Sequence, residues 1–253
     1  MSERSDSPVR LAAWGAGVFA VSRLAGALLS STSMAGLVAQ AVIAEWGLGR
    51  IGVTWSDPLA EVPGTKAIVK RALLGCALGL GGAAVVLGLA IVTKAALVAR
   101  ADAPVAVMGI GLLAAGFSAM RDELLLRGLV LRVTEEITAT APRLVACGVT
   151  AACAATAEPG ATAPSVAAAG LLGVIFGALW IRDRGAWLAW GAHTALTFAV
   201  STLAQGGLLD ARVARNAWGG GDTGLLGGFA AVAALAPLAL GAFAWARRTE
   251  ARG

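Results

Sequence analysis

The sequence predicts an all-α fold: a polytopic transmembrane helical bundle of about eight membrane helices in a single domain. Three observations predict it. Of 253 residues, 58% are hydrophobic and 14% charged, with a mean hydropathy of +0.78, whereas a soluble domain is nearer about one-quarter charged. The apolar residues fall into eight runs separated by short polar connections. The chain also carries 34 glycines and many alanines, which suit close helix–helix approach in lipid.

Residues 1–9 read as a polar tail, and the apolar stretch that follows carries Arg23 in its middle, unlike a cleavable signal. The runs lie at about 10–30, 34–48, 72–93, 103–133, 143–158, 164–181, 185–204 and 224–246. A spanning helix needs about 20 apolar residues, so the second and fifth runs are short enough to be tilted, re-entrant or broken. Pro159-Gly160 marks a break after the fifth run. The segment 49–71 is a long polar connection holding Arg50, Lys66, Lys70 and Arg71 against Asp57 and Glu61. Arg182-Asp183-Arg184 forms a tight basic turn, 205–223 reads as a flexible turn, and 247–253 is a basic tail. One membrane domain, 10–246, thus lies between two polar ends.

The net charge is +5 and the isoelectric point is near 9.9. No basic stripe is interleaved with aromatics, so nucleic acid is not an expected partner. Lys and Arg flanking the spans account for the excess. Their distribution predicts cytoplasmic N- and C-termini if there are eight spans. The partner expected throughout is the lipid bilayer. Eight Trp and no Tyr fit interfacial anchoring, although Trp187 and Trp190 also suit a cavity wall. Cys76, Cys147 and Cys153 all sit in apolar runs without a CxxC pair and read as small buried hydrophobes.

Within this apolar chain, Arg121-Asp122-Glu123-Leu124-Leu125-Leu126-Arg127-Gly128 puts four charges into eight residues. Each charge at the centre of a span costs about 2.5–3.5 kcal/mol on insertion scales, which makes such residues functional candidates. On a helix, Glu123 and Arg127 are i,i+4 neighbours, and an ion pair that lets the helix tolerate charge is the plain alternative. Asp122 lies about 100° around from Glu123.

Asp122-Glu123, three leucines, Arg127 and Gly128 resemble the first motif of the CAAX protease and bacteriocin-processing family of glutamic intramembrane proteases, with Asp in place of that motif's usual first Glu. Arg182-Asp-Arg184-Gly-Ala-Trp187-Leu-Ala-Trp190-Gly-Ala-His193 is similar to the approach to its late-helix histidine, with Thr197 where Asn is common. His193 is the sole histidine of the chain. An aromatic residue, three others and a second histidine complete the family pattern. Here Ala154-Ala-Thr-Ala-Glu158 stands in that place, before Pro159. Glu158 is then either an exposed acid at a helix end or a carboxylate replacing an imidazole. The resemblance covers about residues 103–204.

The resemblance implies proteolysis inside the membrane by glutamate-activated water. Glu123 would be the general base. His193 would orient the water or stabilise the oxyanion, and Thr197 would assist it by hydrogen bonding. Arg127 would fix the acidic pair, with Asp122 as its supporting partner. The substrate would be a peptide or protein tail, trimmed in bacteriocin-type or sorting-tail processing, at the bacterial inner membrane. No cofactor or metal is implied. A zinc site with two or three His ligands is excluded by the single histidine, while Glu123, Glu158 and His193 remain a legal ligand set. Other readings stay open. One is a degenerate relative that binds a peptide without cutting it. Another is a transporter using Glu123 and Arg127, for which no repeat is visible. Gly116-Phe-Ser118 with His193 would make a serine dyad. Gly219-Gly-Gly-Asp222 spells an aspartyl-protease motif but has only Asp210, in the same loop, as a second acid. Glu135-Glu136 reads as a solvated helix end.

Overall fold

The computed structural model describes residues 7–30, 33–56 and 63–250, with the side chains of 249 and 250 left aside. Asp57, Glu61, residues 1–6 of the polar tail and 251–253 lie outside the described residues. Eight helices follow one another: α1 (Pro8–Leu29), α2 (Met34–Gly49), α3 (Thr65–Val92), α4 (Val105–Val133), α5 (Thr140–Thr156), α6 (Ala163–Asp183), α7 (Trp187–Phe198, prolonged by a π turn, Ala199–Leu203) and α8 (Phe229–Glu250). Five of them, α1, α3, α4, α6 and α8, are long and apolar enough to cross a membrane, and α2 is a shorter apolar helix. The expected helical bundle is therefore present, with fewer full-length spans than eight.

Local chemistry sets the helix ends. Ser7 and Ser33 cap α1 and α2 by accepting from the backbone N–H groups of Arg10 and Gly36. Thr162 and Ser165 form a reciprocal capping box at α6. Gly160, at φ +76° in the turn before it, fits the predicted break at Pro159-Gly160. Arg184 ends α6 in the left-handed conformation.

The flexible turn expected at 205–223 is instead partly regular. Strand β2 (Leu209–Val213) pairs antiparallel with β1 (Ala96–Arg100), Ala96 opposite Val213 and Arg100 opposite Leu209, and a short 3-10 turn covers Gly221–Thr223. This two-stranded ribbon joins the ends of α3 and α7.

The α3–α7 pair is packed backbone to backbone. Cβ atoms on Gly75 and Gly79 would run into the main chain of Leu188 and Ala192, so only glycine permits this separation. The main core gathers α6, α7 and α8 around Phe176, Leu188 and Leu235, with α3 against them. Contacts such as Arg71 with Asp183 (3.3 Å) and Arg132 Nε with the Ile51 carbonyl (3.2 Å) place most of the arginines at one end of the bundle. Glu158, beyond the other end of α5 from Arg143, lies toward the opposite end.

Candidate active site

Helix α4 supplies the charged stretch, and it is not regular there. Val105–Glu123 is α-helical, Leu124–Gly128 is a π turn, and Leu129–Val133 resumes the α-helix. Such bulges recur at functional sites. Glu123 ends the first segment with no exposed surface, and Arg127 sits inside the π turn, 3% exposed. Arg127 Nη1 lies 3.5 Å from Glu123 Oε1 and donates to the Asp122 carbonyl at 3.4 Å.

Two residues of other helices reach Glu123. His193 of α7 brings Nδ1 to 2.8 Å from Oε1. Trp180 of α6 donates its indole N–H to Oε2 at 2.8 Å. The imidazole lies flat on Phe176, centroids 4.6 Å apart at 17°, and the Arg127 guanidinium stands 5.3 Å from the other ring contact point, the Phe176 centroid. Gly128 has a steric role in this arrangement. A Cβ there would come within 2.7 Å of Val53 and 3.0 Å of the Trp180 ring, so glycine leaves room for the indole that holds Glu123.

His193 borders a cavity of about 190 Å³ shared by α1, α4, α5, α6 and α7. Its polar wall carries two ion pairs. Arg121 Nε meets Asp122 Oδ1 at 2.7 Å, and Arg121 also donates to Gln40 Oε1 at 2.9 Å. Arg23 meets Glu158 at 2.7 Å, with side chains 38% and 53% exposed. Arg127 borders the cavity too, whereas Glu123 is not on its wall.

The predicted residues are thus brought together unequally. Glu123, Arg127 and His193 form one buried cluster. Asp122 lies beside them on the cavity wall, engaged with Arg121 rather than with Arg127's side of the pair. Glu158 borders the same cavity, but its carboxylate is held by Arg23 and does not join Glu123 and His193. Among the described residues no three His, Cys, Asp or Glu side chains converge as a metal site, so that ligand set is not assembled. Thr197 does not assist His193. Among the described residues its side chain makes no hydrogen bond, only its carbonyl accepts from Ser201 Oγ (2.6 Å), and the His193 ring is held across to α4 instead.

The rival constellations separate. Ser118 makes no hydrogen bond to His193, whose Nδ1 faces Glu123. Asp222 is 94% exposed beside Arg215, and Asp210 pairs with Arg212. Glu135 pairs with Arg132, and Glu136 is exposed, as expected of a solvated helix end. Trp187 and Trp190 do not border this cavity. They stack with Trp55 (Trp55–Trp187 centroids 4.7 Å), while the Trp190 indole donates to the Gly116 carbonyl.

Sequence reasoning passed over Trp180, Gln40, Phe176 and the role of Arg23. Arg23 and Gln40 each carry a signal, a lone polar side chain within an apolar helix. Trp180 and Phe176 are indistinguishable from packing residues until the fold is known.

The fold and this cluster define an α-helical multi-pass membrane protein with a buried carboxylate–imidazole–guanidinium site beside a polar cavity. Residues 104–199, which carry Glu123, Arg127, Glu158 and His193, match the family model described as type II CAAX prenyl endopeptidase Rce1-like. The chain belongs to the CAAX protease family through this segment, which implies a protease of the CAAX-type intramembrane kind. No curated protein matches the chain.

Proposed function

We propose that this protein is an intramembrane endopeptidase that hydrolyses a peptide bond in a peptide or protein tail, using water activated by the Glu123–His193 pair. The observation that carries this reading is the 2.8 Å contact of Glu123 Oε1 with His193 Nδ1 at the wall of a cavity within the bundle. A carboxylate and an imidazole in hydrogen-bond reach are the parts that general acid–base hydrolysis needs. Arg127 neutralises the buried Glu123, which otherwise has no water to solvate it. Arg121 and Arg127 add positive charge around a carbonyl oxygen that becomes negative during attack.

The substrate enclosed by this site is a membrane-associated tail, in sorting-tail or bacteriocin-type processing. The membrane is the bacterial inner membrane, with the arginine-rich end of the bundle on the cytoplasmic side. No cofactor is required by this scheme.

The test is cleavage of tail-bearing membrane peptides in co-expression, comparing wild type with Glu123→Ala and His193→Ala. Loss of product in both variants supports the protease. A second reading is favoured by the pairing of Glu158 with Arg23, which leaves one imidazole at the site: a family member that binds the tail without cutting it. Wild type that retains peptide without cleaving any of a broad set would establish that reading instead.

A further inference from the structure

We infer that the atom which accepts a proton from the attacking water is His193 Nε2, and that Glu123 and Trp180 are positioning residues behind it. The inference deepens the proposed hydrolysis and rests on it for its chemistry, while its structural part stands separately. Glu123 has no exposed surface and is absent from the cavity wall, whereas His193 is on that wall, 13% exposed. Water in the cavity meets the imidazole and not the carboxylate.

The donors around Glu123 fix the imidazole's proton. Indole and guanidinium groups can only donate. Trp180 donates to Oε2 at 2.8 Å, and Arg127 faces Oε1 at 3.5 Å. Glu123 therefore acts as acceptor on both oxygens. His193 Nδ1, 2.8 Å from Oε1, must be the N–H donor. The hydrogen bond at one ring nitrogen sets the state of the other, so Nε2 carries a lone pair. Among the described residues Nε2 has no protein partner. Stacking on Phe176 keeps the ring from turning away.

The other carboxylates on the wall are engaged by cations, Asp122 by Arg121 and Glu158 by Arg23. The step then balances as follows. Water gives a proton to Nε2 while its oxygen bonds to the scissile carbonyl carbon, and the C=O π pair moves onto oxygen. When that pair returns, the C–N bond breaks. The imidazolium passes its proton from Nε2 to the departing nitrogen, leaving a carboxylic acid and an amine. Glu123 carries no proton through the cycle. It holds the ring and faces the imidazolium, as buried carboxylates do behind a general-base histidine elsewhere.

Trp180 is necessary in this arrangement because, without its N–H, the second oxygen of Glu123 is buried without a donor. The carboxylate then turns, and Nδ1 loses its partner.

The chain has a single histidine, so its ring nitrogens can be read without assignment. Full-length protein carrying 15N-histidine, in detergent micelles, is examined by long-range 1H–15N correlation. In wild type we expect Nδ1 protonated and Nε2 bare in the neutral ring. Trp180→Phe, which keeps the ring and removes the N–H, is expected to mix the two tautomers. It should also lower kcat about 10- to 100-fold at unchanged KM, the scale seen when a partner orienting an imidazole is lost. Glu123→Ala is expected to lose the Nδ1–H form. A bare Nδ1 with protonated Nε2 in wild type overturns the inference, and that measurement needs no variant to fold. So does Trp180→Phe with unchanged tautomer and kcat. Wild type with the expected tautomer that cleaves nothing overturns the protease reading and, with it, the proton transfer, while the Glu123–Trp180 clamp stands.

Discussion

Replacing Arg127 with methionine removes the cation from the site and keeps most of its aliphatic volume. Arg127 Nη1 is 3.5 Å from Glu123 Oε1, with the two side chains 3% and 0% exposed. At an effective dielectric constant of about 20, that separation corresponds to roughly 5 kcal/mol of attraction. The guanidinium's own desolvation offsets part of it, but Glu123 stays buried after the substitution. Breaking a buried pair from one side typically costs about 3–5 kcal/mol, and we expect Arg127→Met to lose stability in that range. Glu123→Gln alone strands the guanidinium and should cost a similar amount. The double variant removes both charges, and we expect it within about 2 kcal/mol of wild type, because a neutral pair needs no compensation. The assay is unfolding by SDS titration in mixed micelles, followed by the fluorescence of the tryptophans. Single losses that simply add in the double variant, within about 0.5 kcal/mol, would refute the claim that these two charges exist in this site for each other.

Two further substitutions bear on other parts of the molecule. Gly79→Ala puts a methyl group into the Ala192 backbone and should cost at least about 1–3 kcal/mol by forcing α3 from α7, whereas Gly81→Ala has nothing within 4 Å of its new Cβ and should be neutral or mildly stabilising. Melting curves in detergent compare them, and equal shifts would count against backbone contact. Glu158→Ala breaks an ion pair whose side chains are 38% and 53% exposed, so its stability should fall by no more than about 1 kcal/mol. A loss of several kcal/mol in the same melt would mean the pair is buried in the bilayer.

The helices were legible because each is an apolar run bounded by polar residues, and the fourth was expected at about 103–133 and found at Val105–Val133. The start of α3 was placed near 72 but lies at Thr65. Lys66, Lys70 and Arg71 occupy its first two turns, where long side chains carry charge to the surface while their stems stay on the helix. The β1–β2 ribbon was not legible. Its strands stand more than a hundred residues apart, and Ala96–Arg100 has no partner signal nearby. At the site, Glu123, Arg127 and His193 were readable because charge in an apolar chain is conspicuous. Trp180 was not, since nothing in a sequence shows which indole donates to which carboxylate. Thr197 misled because residues one turn apart share a face, yet the ring of His193 turns across to another helix.

The bridge from Arg23 to Glu158 has a consequence for how this protein can vary over descent. Residues 104–199 hold Glu123, His193, Trp180 and Glu158, but the counter-charge at the cavity's rim comes from α1, far outside that segment. Gln40, which steadies Arg121, likewise comes from α2. The inherited core therefore holds the reacting groups, while the first two helices set the charge and shape of the doorway. Lineages can exchange or redraw α1 and α2 without touching the Glu123–His193 pair, and in doing so alter what is admitted while keeping the chemistry that follows.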